Sequence, residues 1–146
     1  ILVNKQVQQT TQEKQANTSS TSQTLFNLKL LAYERIILFI ERIKPDSFIP
    51  RTLSPSLPYQ EYQLLLINEI RKEFEYNLSQ QLYLSENAWE VTVNFKDNII
   101  TLINSAATSC PPQATASDLA RKILEHYISS DLKGDQILKI VKAEIQ

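Results

Sequence analysis

The sequence predicts an all-α fold, an irregular bundle of about five helices behind a polar N-terminal tether. Two observations lead there. The 146 residues include a single glycine, Gly134, where average usage of about 7 % would supply roughly ten. Hairpin turns, phosphate-cradling loops and nucleotide folds consume glycine, because they need positive φ or close backbone approach. From Leu25 onward the apolar residues also recur at steps of three and four, the period of a helix with one buried face.

The chain divides into a tether over residues 1–24 and a helical domain over 25–146. Residues 5–24 are rich in Gln, Thr and Ser and nearly free of apolar anchors, so they read as a linker carrying at most a frayed helix. Thr24 is the expected N-cap of a helix running to Ile43, which Pro45 ends. Residues 44–58 hold four of the six prolines and read as an extended connection, with Pro58 as the first residue of the next helix. That helix should continue to Tyr83, because nothing before "SEN" interrupts it. Ser85 then caps a fresh start.

Residues 86–107 admit two readings. "WEVTVNF" alternates apolar and polar, which taken alone fits a hairpin strand. On a helical wheel, however, Glu90, Asn94, Asp97, Asn98, Thr101, Asn104 and Ser105 share one face. Trp89, Thr92, Val93, Ile99, Ile100, Ile103 and Ala107 lie opposite. The longer pattern favours a helix, and the hairpin stays open locally. Thr115 and Asp118 form a capping-box-like start for a helix reaching Leu132. Gly134 is the expected left-handed C-terminal cap. Asp135 should cap a last helix that turns Ile137, Ile140, Val141 and Ile145 to one side.

"YERIILFIERI" (33–43) repeats Glu-Arg-Ile seven residues apart. That spacing returns a helix to within about 20° of the same face. Leu25, Leu28, Ala32, Ile36, Phe39 and Ile43 then make the inward stripe, with the arginines at its rim. Glu34 and Glu41 fall on the opposite side among Leu30, Leu31, Ile37 and Leu38. The helix is therefore apolar nearly all round, and something should cover that second face. In the following helix Leu64, Ile67, Ile70, Phe74, Leu78 and Leu82 make the stripe, and Arg71 falls inside it. Arg71 is expected to pair with Glu34 or Glu41, so that Arg71→Ala would destabilise strongly by stranding a buried carboxylate.

Few residues invite chemistry. Glu34 and Glu41 would stand about 10 Å apart along the axis, too far for one metal ion, and no Glu-x-x-His accompanies them. His126 is the sole histidine and lacks co-ligands; Cys110 is the sole cysteine and cannot form an internal disulfide. No catalytic, metal or cofactor site is expected. Net charge is −1 with no basic block, so nucleic acid is not an expected partner. The aromatics Phe74, Tyr76 and Trp89, set among amides and acids in "RKEFEYNLSQQLYLSENAWE", suit a protein-binding surface.

"LAYERIILFIERIKP", "EIRKEFEYNLSQQLYLSENAWE" and "IITLINSAA" together resemble an uncharacterised family from Bacteroidota. Its members carry a short N-terminal membrane helix followed by a cytoplasmic helical domain. The resemblance covers residues 25–128 and implies no activity. It implies that "ILV" at the start is the end of an anchor, that 5–24 is a tether, and that 86–107 is helix. The residues alone leave a frayed terminus equally open for "ILV", and no run reaches the ~20 apolar residues of a membrane span. The expectation is a membrane-tethered, non-enzymatic adaptor or assembly domain that binds another protein or itself. The alternative is a small-molecule or lipid-binding domain with a pocket between the 25–43 and 58–83 helices.

Overall fold

This computed structural model describes residues 2–131 and 133–145, with side chains described from Asn17 onward. The elements are α1 (Leu2–Ile43), α2 (Pro45–Thr52), α3 (Tyr59–Tyr76), a 3₁₀ helix (Leu78–Tyr83), α4 (Glu86–Thr108), α5 (Ala116–Ser129) and α6 (Gly134–Ala143). Among the described residues there is no strand. A single isolated bridge, Pro58 with Thr115, clips the start of α3 to the start of α5. The all-α prediction holds, and "WEVTVNF" lies inside α4.

α4 occupies the centre and packs against α1, α3, α5 and α6. Its buried residues are Ala88, Thr92, Phe95, Ile99, Leu102, Ile103, Ala106 and Ala107. Small residues at its C-terminal end let α5 approach closely. Thr92 is buried without penalty because its hydroxyl donates to Ala88 O at 2.7 Å. From α1 the core takes Ala32, Tyr33, Ile36, Phe39, Ile40 and Ile43; from α5 it takes Leu119, Ala120, Ile123 and Tyr127.

Two predicted caps form as written. The Ser85 hydroxyl accepts from Ala88 N at 3.0 Å, and the Asp118 carboxylate accepts from Thr115 N at 3.0 Å and from the Thr115 hydroxyl at 3.2 Å. Both devices act within one turn, so local sequence suffices to specify them.

Other boundaries differ. Thr24 is no cap: it lies within α1, and its hydroxyl donates to Ser20 O at 2.9 Å. The polar stretch is thus the N-terminal part of one helix of 42 residues, about 63 Å long. Residues 17–27 are exposed on every side. Their Ser and Thr groups need no competing turn, since Thr21 likewise donates to Asn17 O at 2.9 Å. The anchor-like "ILV" lies outside the described side chains.

Part of the proline-rich connection is helical. Pro45 occupies the first helical position of α2, where a missing N–H costs nothing. Pro50 comes late enough that the helix ends two residues on. Buried Phe48 and Ile49 hold α2 to the bundle. Pro58 caps α3 instead of starting it, its carbonyl accepting from Tyr62 N at 3.2 Å. α3 itself stops at Tyr76, and the chain tightens into the 3₁₀ helix before Ser85.

The inward face of α3 is centred on Tyr62, Leu66 and Ile70; of the predicted stripe Ile70 is buried and Ile67 and Phe74 pack partly against the core, while Leu64, Leu78 and Leu82 are exposed. The apolar run Leu64–Leu65–Leu66–Ile67 supports two overlapping stripes. Tyr62 selects between them by burying its ring and pairing its hydroxyl with that of Thr52 at 2.9 Å. Gly134 is not a C-terminal cap: no described residue has positive φ, and Gly134 begins α6 after Lys133 as N-cap. Asp135 lies in the first turn and caps nothing. α6 buries Gly134, Leu138 and Val141, while Ile140 and Ile145 are exposed.

Candidate interaction faces

The outward face of α1 is the first candidate. Opposite the buried Ile36, Leu31 and Leu38 stand 54 % and 53 % exposed. Glu34 and Arg35 flank them, both exposed. Where α1 leaves the bundle, Leu25, Phe26 and Leu30 are exposed as well. Among the described residues Ile37 is partly buried against the core, whereas Leu31 and Leu38 stay open although the composition of this face called for a cover. The 3₁₀ helix lies alongside α1 and adds exposed Leu78 and Leu82.

The seam between α1 and α3 is closed. Phe39 meets Phe74 with ring centroids 5.9 Å apart, and Phe74 stacks on Trp89 of α4 at 5.5 Å. The charge pair joining α1 to α3 is Arg42 with Glu73, whose Oε1 accepts from Nη2 at 2.7 Å and from Nε at 3.0 Å. Arg51 of α2 approaches the same oxygen at 3.7 Å. Glu73 Oε2 is buried without a hydrogen-bond partner. The Glu73 hydrogen bonds and charge hold the Arg42 guanidinium above its ordinary pKa.

The predicted pairing of Arg71 with Glu34 or Glu41 does not form. Glu41 pairs with Lys44 at 3.1 Å, Glu34 faces solvent, and Arg71 is exposed. Arg71 occupies the edge of α3 two residues from the one that meets α1. The stripe built on Leu64 misplaced it there, and the position of Tyr62 was the signal that would have corrected the rotation.

Arg71 and Phe74 instead line an open groove of about 410 Å³ between α3 and α4, with Glu75, Lys96, Asp97, Ile100 and Thr101. Lys96 Nζ stands 4.1 Å from the Phe74 ring centroid and 2.9 Å from Asp97 Oδ1. Two cations and two anions thus rim an apolar floor. Tyr76 is 72 % exposed beyond it. The structure therefore brings Arg71, Phe74 and Trp89 together and leaves Glu34 and Glu41 on a different face.

A family model, Family of unknown function (DUF7935), matches residues 1–146. The chain belongs to this family. Comparisons with curated proteins and with solved structures give no match.

Two further clusters in this DUF7935 member went unread in the sequence. Glu144 accepts from Asn87 Nδ2 at 2.8 Å, from the Tyr33 hydroxyl at 3.2 Å and from the Ser85 hydroxyl. Those bonds, led by Ser85, hold its carboxyl below the ordinary value. Lys44 pairs with Asp135 and Glu41, both at 3.1 Å. Burial opposes its charge, but the two carboxylates outweigh burial and its pKa rises. Tyr33 and Glu144 are 111 residues apart and Lys44 and Asp135 are 91 apart, so each cluster lies beyond any local pattern. Cys110 is half-buried, its thiol pushed up by burial. Among the described residues no three His, Cys, Asp or Glu side chains gather as metal ligands, and no helix is long and apolar enough to cross a membrane.

Proposed function

We propose that this domain is a non-enzymatic adaptor or assembly module, membrane-tethered through its N-terminal end, that acts by protein–protein contact on helix faces. One observation carries the reading: Leu31 and Leu38 lie in a row, each more than half exposed, on the side of α1 opposite the face that the bundle buries through Ile36 and Ile40. Exposed leucines aligned along one helix face suit a helix-to-helix contact, whereas leucines scattered singly over a surface need no explanation. The stretch 17–27, exposed all round, suits an arm that holds the bundle away from a surface. In the test, the full-length protein is captured from its own cells beside a Leu31→Asp/Leu38→Asp variant. Partners lost with the variant, while circular dichroism stays unchanged, support the reading; partners retained count against it.

A second reading, a small-molecule site, rests on the α3–α4 groove with its apolar floor and charged rim. The seam between α1 and α3 offers no such room, being filled by Phe39 and Phe74. Thermal-shift screening against wild type and Arg71→Ala separates the two readings, since only a groove ligand loses its effect in the variant.

A further inference from the structure

We infer that the partner on the outward face of α1 is a second copy of this chain, packed parallel about a two-fold axis. This rests on the interaction-module reading and names its occupant. Leu31 and Leu38 are seven residues apart and fall on one line along the helix. Glu34 and Arg35 flank that line, about 50° to either side. Neither side chain has a hydrogen-bond or ion-pair partner among the described residues. The face is thus a leucine row with an acid on its left and a base on its right.

Such a face is complementary to itself in only one orientation. With two parallel helices, the two-fold axis runs along them and exchanges the flanks. Glu34 of each copy then lies beside Arg35 of the other, and Leu31 and Leu38 meet their own equivalents. With antiparallel helices, the axis runs across them and keeps each flank on its side. Glu34 would then face Glu34, and Arg35 would face Arg35, with both charges close to desolvated leucines. Length argues the same way. α1 ends at Ile43, so an antiparallel copy would carry its arm past the end of the helix it packs on. In the parallel pair, the arms over residues 17–27 run side by side, and Thr24, seven residues before Leu31, continues the row. Both bundles then project from the same end.

The test measures self-association of the full chain by sedimentation equilibrium and then exchanges charge. A dimer at micromolar concentration is expected. Glu34→Arg alone and Arg35→Glu alone should each weaken it about tenfold or more, as like charges meet twice across the axis. The double exchange Glu34→Arg/Arg35→Glu should restore wild-type association. In a Cys110→Ala background, Leu38→Cys should form an intermolecular disulfide under mild oxidation, because the parallel register sets residue 38 against itself. A monomer throughout the range would overturn the inference. So would a dimer in which the double exchange fails to restore association or Leu38→Cys fails to cross-link. A monomer that still loses a separate protein partner on Leu31→Asp/Leu38→Asp would overturn self-pairing and leave the interaction-module reading standing. A monomer that loses no partner would overturn both.

Discussion

The aliphatic stem of Lys44 crosses directly over Gly134. A Cβ built on Gly134 would collide with Cγ and Cδ of Lys44 and stand 3.1 Å from the Tyr127 hydroxyl. The same hydroxyl accepts from Gly134 N at 2.8 Å. Lys44 cannot swing aside freely, because its ammonium is held by Glu41 and Asp135. The chain's one glycine is therefore needed for close approach. Backbone freedom plays no part, since its φ is not positive.

Gly134→Ala should destabilise the fold by about 1–3 kcal/mol, the usual cost of forcing extra volume into a packed site. The gain in helix propensity at the first turn of α6 is too small to offset it. Combining Gly134→Ala with Lys44→Ala removes the colliding stem, so the double variant should lose less than the sum of the two single changes. Urea denaturation of the four proteins measures that coupling; strict additivity would show that the two residues do not touch.

Arg42 and Arg71 should behave oppositely. Arg42→Ala leaves Glu73, already carrying one unpartnered buried oxygen, with only the more distant Arg51. The expected loss is about 1–3 kcal/mol, the penalty for an unsatisfied buried polar group. Arg71→Ala removes an exposed side chain and should stay within about 0.5 kcal/mol of wild type. Thermal unfolding of both variants checks this; a larger loss for Arg71→Ala would restore a structural role for that residue.

Glu144 gives stability an acid-side dependence. Its folded pKa lies below the ordinary 4.5, with the Ser85, Asn87 and Tyr33 bonds as the cause. A depressed carboxylate pKa means the unfolded state binds the proton more readily. Its contribution is therefore complete above the unfolded value and is lost as pH falls through the folded one. Glu144→Gln should be less stable than wild type at pH 7. The gap should close as pH falls below 4.5, and urea midpoints at pH 7, 4 and 3 would show it.

The parts of the fold legible in the sequence are those settled within a few residues. Ser85 and the Thr115–Asp118 pair specify helix starts through their own backbone, and the twenty-residue wheel of 86–107 overrules the alternation in "VTVNF". What was misread depends on approach between distant segments. Gly134 matches a C-terminal cap until Lys44 is placed over it. Arg71 sits inside an apolar stripe until Tyr62 rotates α3. Of the candidate site residues, Phe74, Trp89 and Arg71 do cluster, because α3 and α4 are neighbours in chain and space. Glu34 is exposed and Glu41 is half-buried beside Lys44, and the charge that α3 was expected to bring to them meets α1 elsewhere, at Arg42 through Glu73.

The two parts of α1 should differ sharply in what they contribute. Ile36 is fully buried against the bundle, whereas Thr21 lies where every neighbour from residue 17 to 27 is exposed. Ile36→Ala removes core volume and should cost about 2–5 kcal/mol. Thr21→Pro breaks the helix locally, with a proline penalty of about 3 kcal/mol that falls on the arm alone. Unfolding followed by the fluorescence of the single tryptophan, Trp89, which stacks on Phe74, reports only on the bundle. Its midpoint should fall with Ile36→Ala and stay put with Thr21→Pro, while far-ultraviolet circular dichroism loses helix in the proline variant before any heating. Native-state hydrogen exchange should show the same division, with fast amides over 17–27 and slow ones over 36–43. A fall in the Trp89 midpoint on Thr21→Pro comparable to that of Ile36→Ala would mean that the arm packs on the bundle.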